Sequence, residues 1–136
     1  MVIDASVAIA WSIPTQQTGS ASAFLAEQSG GDLIAPWCFG LEIRNALLKA
    51  ERRKLTSAEA SAASVSDLLR LVSLIPPPPT DHLDAIQDLA RGERLSHCDA
   101  QYLDLALARG AALASRDGAL LEAAARLGVD AVDLRG

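Results

Sequence analysis

The segment Val2-Ile3-Asp4-Ala5-Ser6-Val7 places a short apolar run before an acid and then continues as an apolar, helix-like stretch through Ile13, closed by Pro14. Residues 1–4 therefore read as a strand ending in a carboxylate, and residues 6–13 as the helix that follows it. This strand-acid-helix junction recurs outward along the chain. Residues 17–28 set Ala21, Phe24 and Leu25 at helical spacing and end at Gly30-Gly31, after which Leu33-Ile34-Ala35 makes a brief strand before Pro36. From Trp37 a long helix puts Phe39, Ile43, Ala46, Leu47 and Ala50 on one face and runs out in Arg52-Arg53-Lys54.

Thr56-Ser57-Ala58-Glu59 has the form of a capping box and opens a helix to about Val72, and Ser73-Leu74-Ile75 is the next strand. Prolines 76–79 form a stiff spacer. Residues 81–90 and 96–108 are helical, 111–115 strand-like and 117–127 helical with Gly128 as C-terminal cap; residues 131–134 make a last strand. Short apolar strands alternating with helices specify an α/β fold, a mainly parallel sheet covered on both faces through right-handed crossovers. Such sheets bind ligands beyond the carboxyl ends of their strands, so acids at strand-to-helix junctions are the first candidates for a site.

The chain has 136 residues, half of them hydrophobic and 21% charged, which suits a single domain over residues 1–136. Its apolar stretches are broken well before the roughly twenty residues of a membrane span, and no basic region precedes the first strand, so a soluble cytoplasmic protein is expected. Cys38 and Cys98 read as isolated, buried small hydrophobes, with neither a zinc site nor a disulfide framework indicated. A net charge of −5 argues against wrapping nucleic acid by bulk attraction. It leaves room for a nuclease, since metal-binding carboxylates carry negative charge that bound cations offset.

Four acids stand out. Asp4 ends the first strand and Asp117 follows a late one, so both emerge at the same sheet edge, yet each could also be a helix N-cap. Ser96-His97-Cys98-Asp99 fits a capping box, but Asp99 also lies in the first turn of a helix that starts at that edge, whereas Asp104 points elsewhere. Glu42 sits early in its helix beside the apolar face with no basic partner three or four residues away, and Asn45 one turn on can orient it. His82 and His97 read as surface or capping residues. Four carboxylates converging within a few ångströms would repel one another unless cations lay between them. An all-oxygen set suits Mg²⁺ or Mn²⁺. A metal pair about 4 Å apart activates water against a phosphodiester, which is nuclease chemistry. Asp4 and Asp99 would be the principal ligands, Glu42 and Asp117 would complete the shell, and Ser6 would orient a ligand or a water.

Together, residues 2–7, 41–47, 95–103 and 115–120 resemble, in order, the segments of the PIN-domain family, and specifically the VapC toxins. The resemblance covers nearly the whole chain. It implies a three-layer α/β/α sandwich, Mg²⁺- or Mn²⁺-dependent endoribonuclease activity, a homodimer, and inhibition by a cognate VapB-type antitoxin. Asp4, Glu42, Asp99 and Asp117 match the family's acids, Ser6 its hydroxyl residue after the first Asp, and Asn45 the Asn after the Glu. Some relatives carry a further acid where this chain has Gly118, Ala119 and Leu120, which points to one tightly held ion and a second arriving with RNA.

For RNA contact, Arg44, Lys49, Arg52, Arg53 and Arg116 lie on or near the elements that bear the acids; a solvated helix end is the plainer reading of Arg52-Arg53-Lys54. A catalytically weak domain acting as an antitoxin- or RNA-binding scaffold is the alternative function. A phosphoryl-transferring domain of the haloacid dehalogenase or receiver type fails on Ser6, where a second Asp is needed.

Overall fold

The computed structural model describes residues 1–13, 19–27 and 32–136. The stops at Pro14 and Gly30-Gly31 and the side chains of Ala21 and Leu25 lie outside them. The elements are β1 (Val2–Ile3), α1 (Ala5–Ser12), α2 (Gly19–Glu27), β2 (Leu33–Pro36), α3 (Phe39–Arg52), α4 (Ala58–Leu71), β3 (Val72–Ile75), α5 (Thr80–Glu93), α6 (His97–Arg109), β4 (Leu113–Ser115), α7 (Gly118–Arg126) and β5 (Ala131–Asp133). The sheet has five strands in the order β3-β2-β1-β4-β5, and every pairing is parallel.

That order explains the layers. From β1 the chain steps through β2 to β3 at one edge, then returns past β1 to β4 and β5. Right-handed crossovers made in opposite directions put their helices on opposite faces. Accordingly α1 packs on α2, α3 and α4, while α6 packs on α5 and α7. The reversal falls between β1 and β4, whose carboxyl ends form the topological switch point.

β1 is only two residues long, but Val2 and Ile3 are fully buried, with neighbours on both sides and helices above and below. They join Val7, Phe39, Ile43, Leu47, Leu103, Leu113 and Leu120 in one core that spans both faces of the sheet. The expected elements form with ends shifted by a few residues, and local physics accounts for the shifts. Ser57, not Thr56, caps α4, its Oγ accepting from the Ala60 amide at 3.1 Å, which leaves Glu59 in the first turn. The helix expected over 81–90 continues to Glu93 and ends on Arg94, which takes the left-handed conformation. Gly128 has φ +73°, the conformation for which glycine is the favoured residue after a helix.

Ile3→Ala should destabilise the chain by about 2–5 kcal/mol, because it opens a cavity beneath the central strand. Leu74→Ala on the edge strand β3, where the side chain is 39% exposed, should cost much less. Denaturant unfolding of the two variants measures the contrast.

Candidate active site at the switch point

Asp4 is the N-cap of α1, yet it is only 5% exposed, so its carboxylate must be satisfied from inside the protein. Ser6 Oγ donates to its Oδ1 at 2.5 Å, Ser115 Oγ donates to its Oδ2 at 2.6 Å, and the Val7 amide donates to Oδ1 at 3.3 Å. Both hydroxyls have a second task. Ser6 Oγ accepts from the Arg116 amide at 2.9 Å and Ser115 Oγ from the Asp117 amide, also at 2.9 Å. The two serines thus tie the β1–α1 junction to the β4–α7 junction.

Asp117 is indeed the N-cap of α7, its Oδ1 accepting from the amides of Ala119 at 2.9 Å and Leu120 at 3.3 Å. Asp99 lies in the first turn of α6, whose cap is Ser96; the Asp99 amide donates to Ser96 Oγ at 3.1 Å. Glu42 lies in the first turn of α3 and accepts from the Tyr102 hydroxyl at 2.6 Å. The capping read for Asp4, Asp117 and Ser96 is therefore real, whereas no bond from the Ser96 amide to the Asp99 carboxylate completes the capping box among the described residues.

The acids also sense one another. Burial raises the pKa of Asp4 against its three hydrogen bonds, and the charge of Asp117 raises it further. Burial likewise raises Asp99 against the Ser96 hydroxyl, with Asp117 adding to the rise. Glu42 is raised first by burial; hydrogen bonds from Tyr102 and Cys98 oppose this, and the charges of Asp99 and Asp4 reinforce it. Repulsion thus closes a ring from Asp4 to Asp117, Asp99, Glu42 and back to Asp4. Against the expected convergence, no three of these four carboxylates bring oxygens within 4.8 Å of one another. Among the described residues, the three potential metal ligands whose donor atoms all lie within 4.8 Å of one another are Cys38, Glu42 and Cys98. Those cysteines, read as isolated, in fact meet beside an acid. Sixty residues of sequence separation hid a contact made by two helix starts.

Other expected residues divide. Ser6 touches Asp4 as anticipated. Asn45 is exposed and makes no hydrogen bond to Glu42, whose partners are Tyr102 and Cys98. A groove of about 320 Å³ is lined by Ser6, Glu42, Lys49 and Arg53 among others, so two of the five expected cations share a surface with Glu42, the one of the four acids that lines it. Arg44 faces another depression beside Leu48 and Val65 and donates to the Gly40 carbonyl at 3.1 Å. Arg52 is exposed and lines neither of these depressions. Arg116 offers its backbone to Ser6, while its buried Nε has no partner among the described residues. His82 pairs with Asp104 at 2.9 Å, and His97 bonds Gln87 at 2.7 Å, both away from the acids.

Tyr102 and Ser115 were not anticipated. Tyr102 lies three residues after Asp99 on the same face of a helix, and Ser115-Arg116-Asp117 reverses the order of Asp4-Ala5-Ser6; either spacing could have identified them.

The family model for the PIN domain matches residues 1–126. The chain belongs to the PIN-domain family. Among solved structures it is similar to PAE2754 from Pyrobaculum aerophilum, with TM-score 0.74 and 23% identity over 96% of this chain and 82% of that one. Identity that low supports the shared fold alone. No curated protein matches the chain. PIN domains are generally metal-dependent nucleases, and carboxylates held by hydroxyls, as Asp4 is by Ser6 and Ser115, are the donor type that hard divalent cations take.

The sign of these shifts sets a pH dependence. A carboxyl whose folded pKa is raised binds its proton more tightly folded than unfolded, so its contribution falls as pH rises from the ordinary carboxylate value through the raised one. Metal-free protein should therefore lose Tm through this site as pH rises above the ordinary carboxylate value of about 4, and Asp4→Asn should flatten the slope. Thermal melts in a chelator measure it.

Proposed function

We propose that this PIN domain is a VapC-type endoribonuclease toxin that hydrolyses RNA phosphodiesters with Mg²⁺ or Mn²⁺, acts as a homodimer and is neutralised by a cognate VapB-type antitoxin. The reading rests chiefly on the groove that carries Glu42 and Ser6 at one end and Lys49 and Arg53 along its length. Lys49 and Arg53 follow Glu42 by seven and eleven residues, which sets all three within about 20° of one helix face.

Asp4, Glu42, Asp99 and Asp117 would hold the divalent ion, which would supply Lewis acidity for the hydrolysis. The chain's own residues do the positioning. Asp4 holds one orientation because each oxygen is fixed by a different serine. Glu42 is held by Tyr102, a phenol kept protonated because burial and the adjoining carboxylate raise its pKa. Asp99 and Asp117 start from the first turn of α6 and the cap of α7, and the charge of Asp117 acts on both Asp4 and Asp99. Lys49 and Arg53 then pair with phosphates of a strand laid along α3.

Asp4→Asn should abolish Mn²⁺-dependent RNA cleavage while circular dichroism stays native; undiminished, metal-independent cleavage by that variant would sink the mechanism. Tyr102→Phe and Ser115→Ala should each cost about 10–100-fold in metal affinity or rate. In RNA titrations across salt, Lys49→Ala and Arg53→Ala should each lower the salt slope by about 1, and Arg44→Ala should not.

A further inference from the structure

We propose that Cys38, Glu42 and Cys98 form a binding site for one thiophilic divalent cation of the zinc class, adjoining the carboxylate ring and sharing Glu42 with it. Cys38 is the N-cap of α3 and Glu42 lies one turn further on, so both project from the same side of that helix. Cys98, the second residue of α6, completes the trio from across the site. All three donor atoms lie within 4.8 Å of one another. In a tetrahedral zinc site, metal–sulfur bonds of about 2.3 Å and metal–oxygen bonds near 2.1 Å place such atoms roughly 3.6–3.8 Å apart. The trio therefore closes on an ion with side-chain movement of about an ångström.

The chemistry selects the ion. Thiolates favour soft or borderline cations and carboxylates alone favour hard ones, so the two neighbouring donor sets sort different metals. Cys38 is 2% exposed and Cys98 half-buried, which shields two of the three ligands while leaving a path for entry on the Cys98 side. On binding, the cation forms bonds to both sulfurs and to a Glu42 oxygen; the two thiol protons leave to solvent and nothing is oxidised or reduced. Glu42 then turns from the carboxylate ring. If the nuclease reading above holds, on which this last consequence rests, the thiophilic cation is an inhibitor of hard-metal cleavage.

Co²⁺ added to the purified, reduced full chain tests the site. One equivalent should give a thiolate-to-cobalt charge-transfer band with tetrahedral visible absorption, removed by Zn²⁺ and not by excess Mg²⁺. Cys98→Ser should lose the band, Glu42→Gln should weaken it, and Asp4→Asn should keep it. Absence of the band in wild type, or its survival in Cys98→Ser, overturns the proposal. Under Mg²⁺, one equivalent of Zn²⁺ should slow RNA cleavage about tenfold or more in wild type and leave Cys98→Ser at that variant's own rate. Equal slowing of both overturns the inhibitory role. A wild type inactive on every RNA would fail the nuclease reading instead, and the cobalt spectrum would still decide the site.

Discussion

The carboxylate of Asp4, buried at the end of the central strand, constrains the rest of the site. β1 is so short and so enclosed that the residue following it stays within the protein. An unpaired charge there would cost several kcal/mol, so donors must come from whatever lies nearest. They come from the turn into α1, through Ser6 and Val7, and from the adjacent strand end, through Ser115. Because both serines also accept backbone amides of residues 116 and 117, satisfying Asp4 fixes the start of α7. Asp117 is thus placed by the same hydrogen bonds that make Asp4 tolerable.

Capping and site-building are one device here. Asp4 and Asp117 are N-caps, and Glu42 and Asp99 occupy the first turns of α3 and α6, so all four acids sit at helix starts. The partial positive charge at a helix N-terminus stabilises an anion by roughly 0.3–1 kcal/mol, which offsets part of the cost of placing a carboxylate there. What the helices leave uncompensated is chiefly the cost of burial, with the repulsion round the ring added to it, and a bound cation would relieve both. For Asp4 and Asp117, capping a helix and facing the other acids are compatible.

Much of this was legible beforehand because the signals are local. Residues 2–7 carry a strand, an acid and a helix start within six positions, and alternation of such units dictates a parallel sheet. The four acids and Ser6 follow from the same logic. Tertiary partners were less legible. Tyr102 reaches Glu42 across sixty residues, and its phenol looks like any core aromatic until the helices are packed. Asn45, favoured by sequence proximity, loses to it because its own side chain is exposed while Tyr102 reaches Glu42 from α6. The cysteines show the same limit: without a CxxC spacing, nothing local announces that two helix starts meet.

The net charge of −5 bears on how a polyanion would be held. The acids concentrate negative charge at one end of α3, and Lys49 and Arg53 carry the opposite sign further along the same groove. With a rise of about 1.5 Å per residue, these cations lie roughly 10 and 16 Å along the helix from Glu42. Such distances match or exceed the Debye length of about 8–10 Å, so each cation must act by direct contact rather than as a general field. They also exceed what one phosphate can span. A strand laid along α3 can touch both cations, an arrangement on one helix that suits the RNA polymer proposed as substrate.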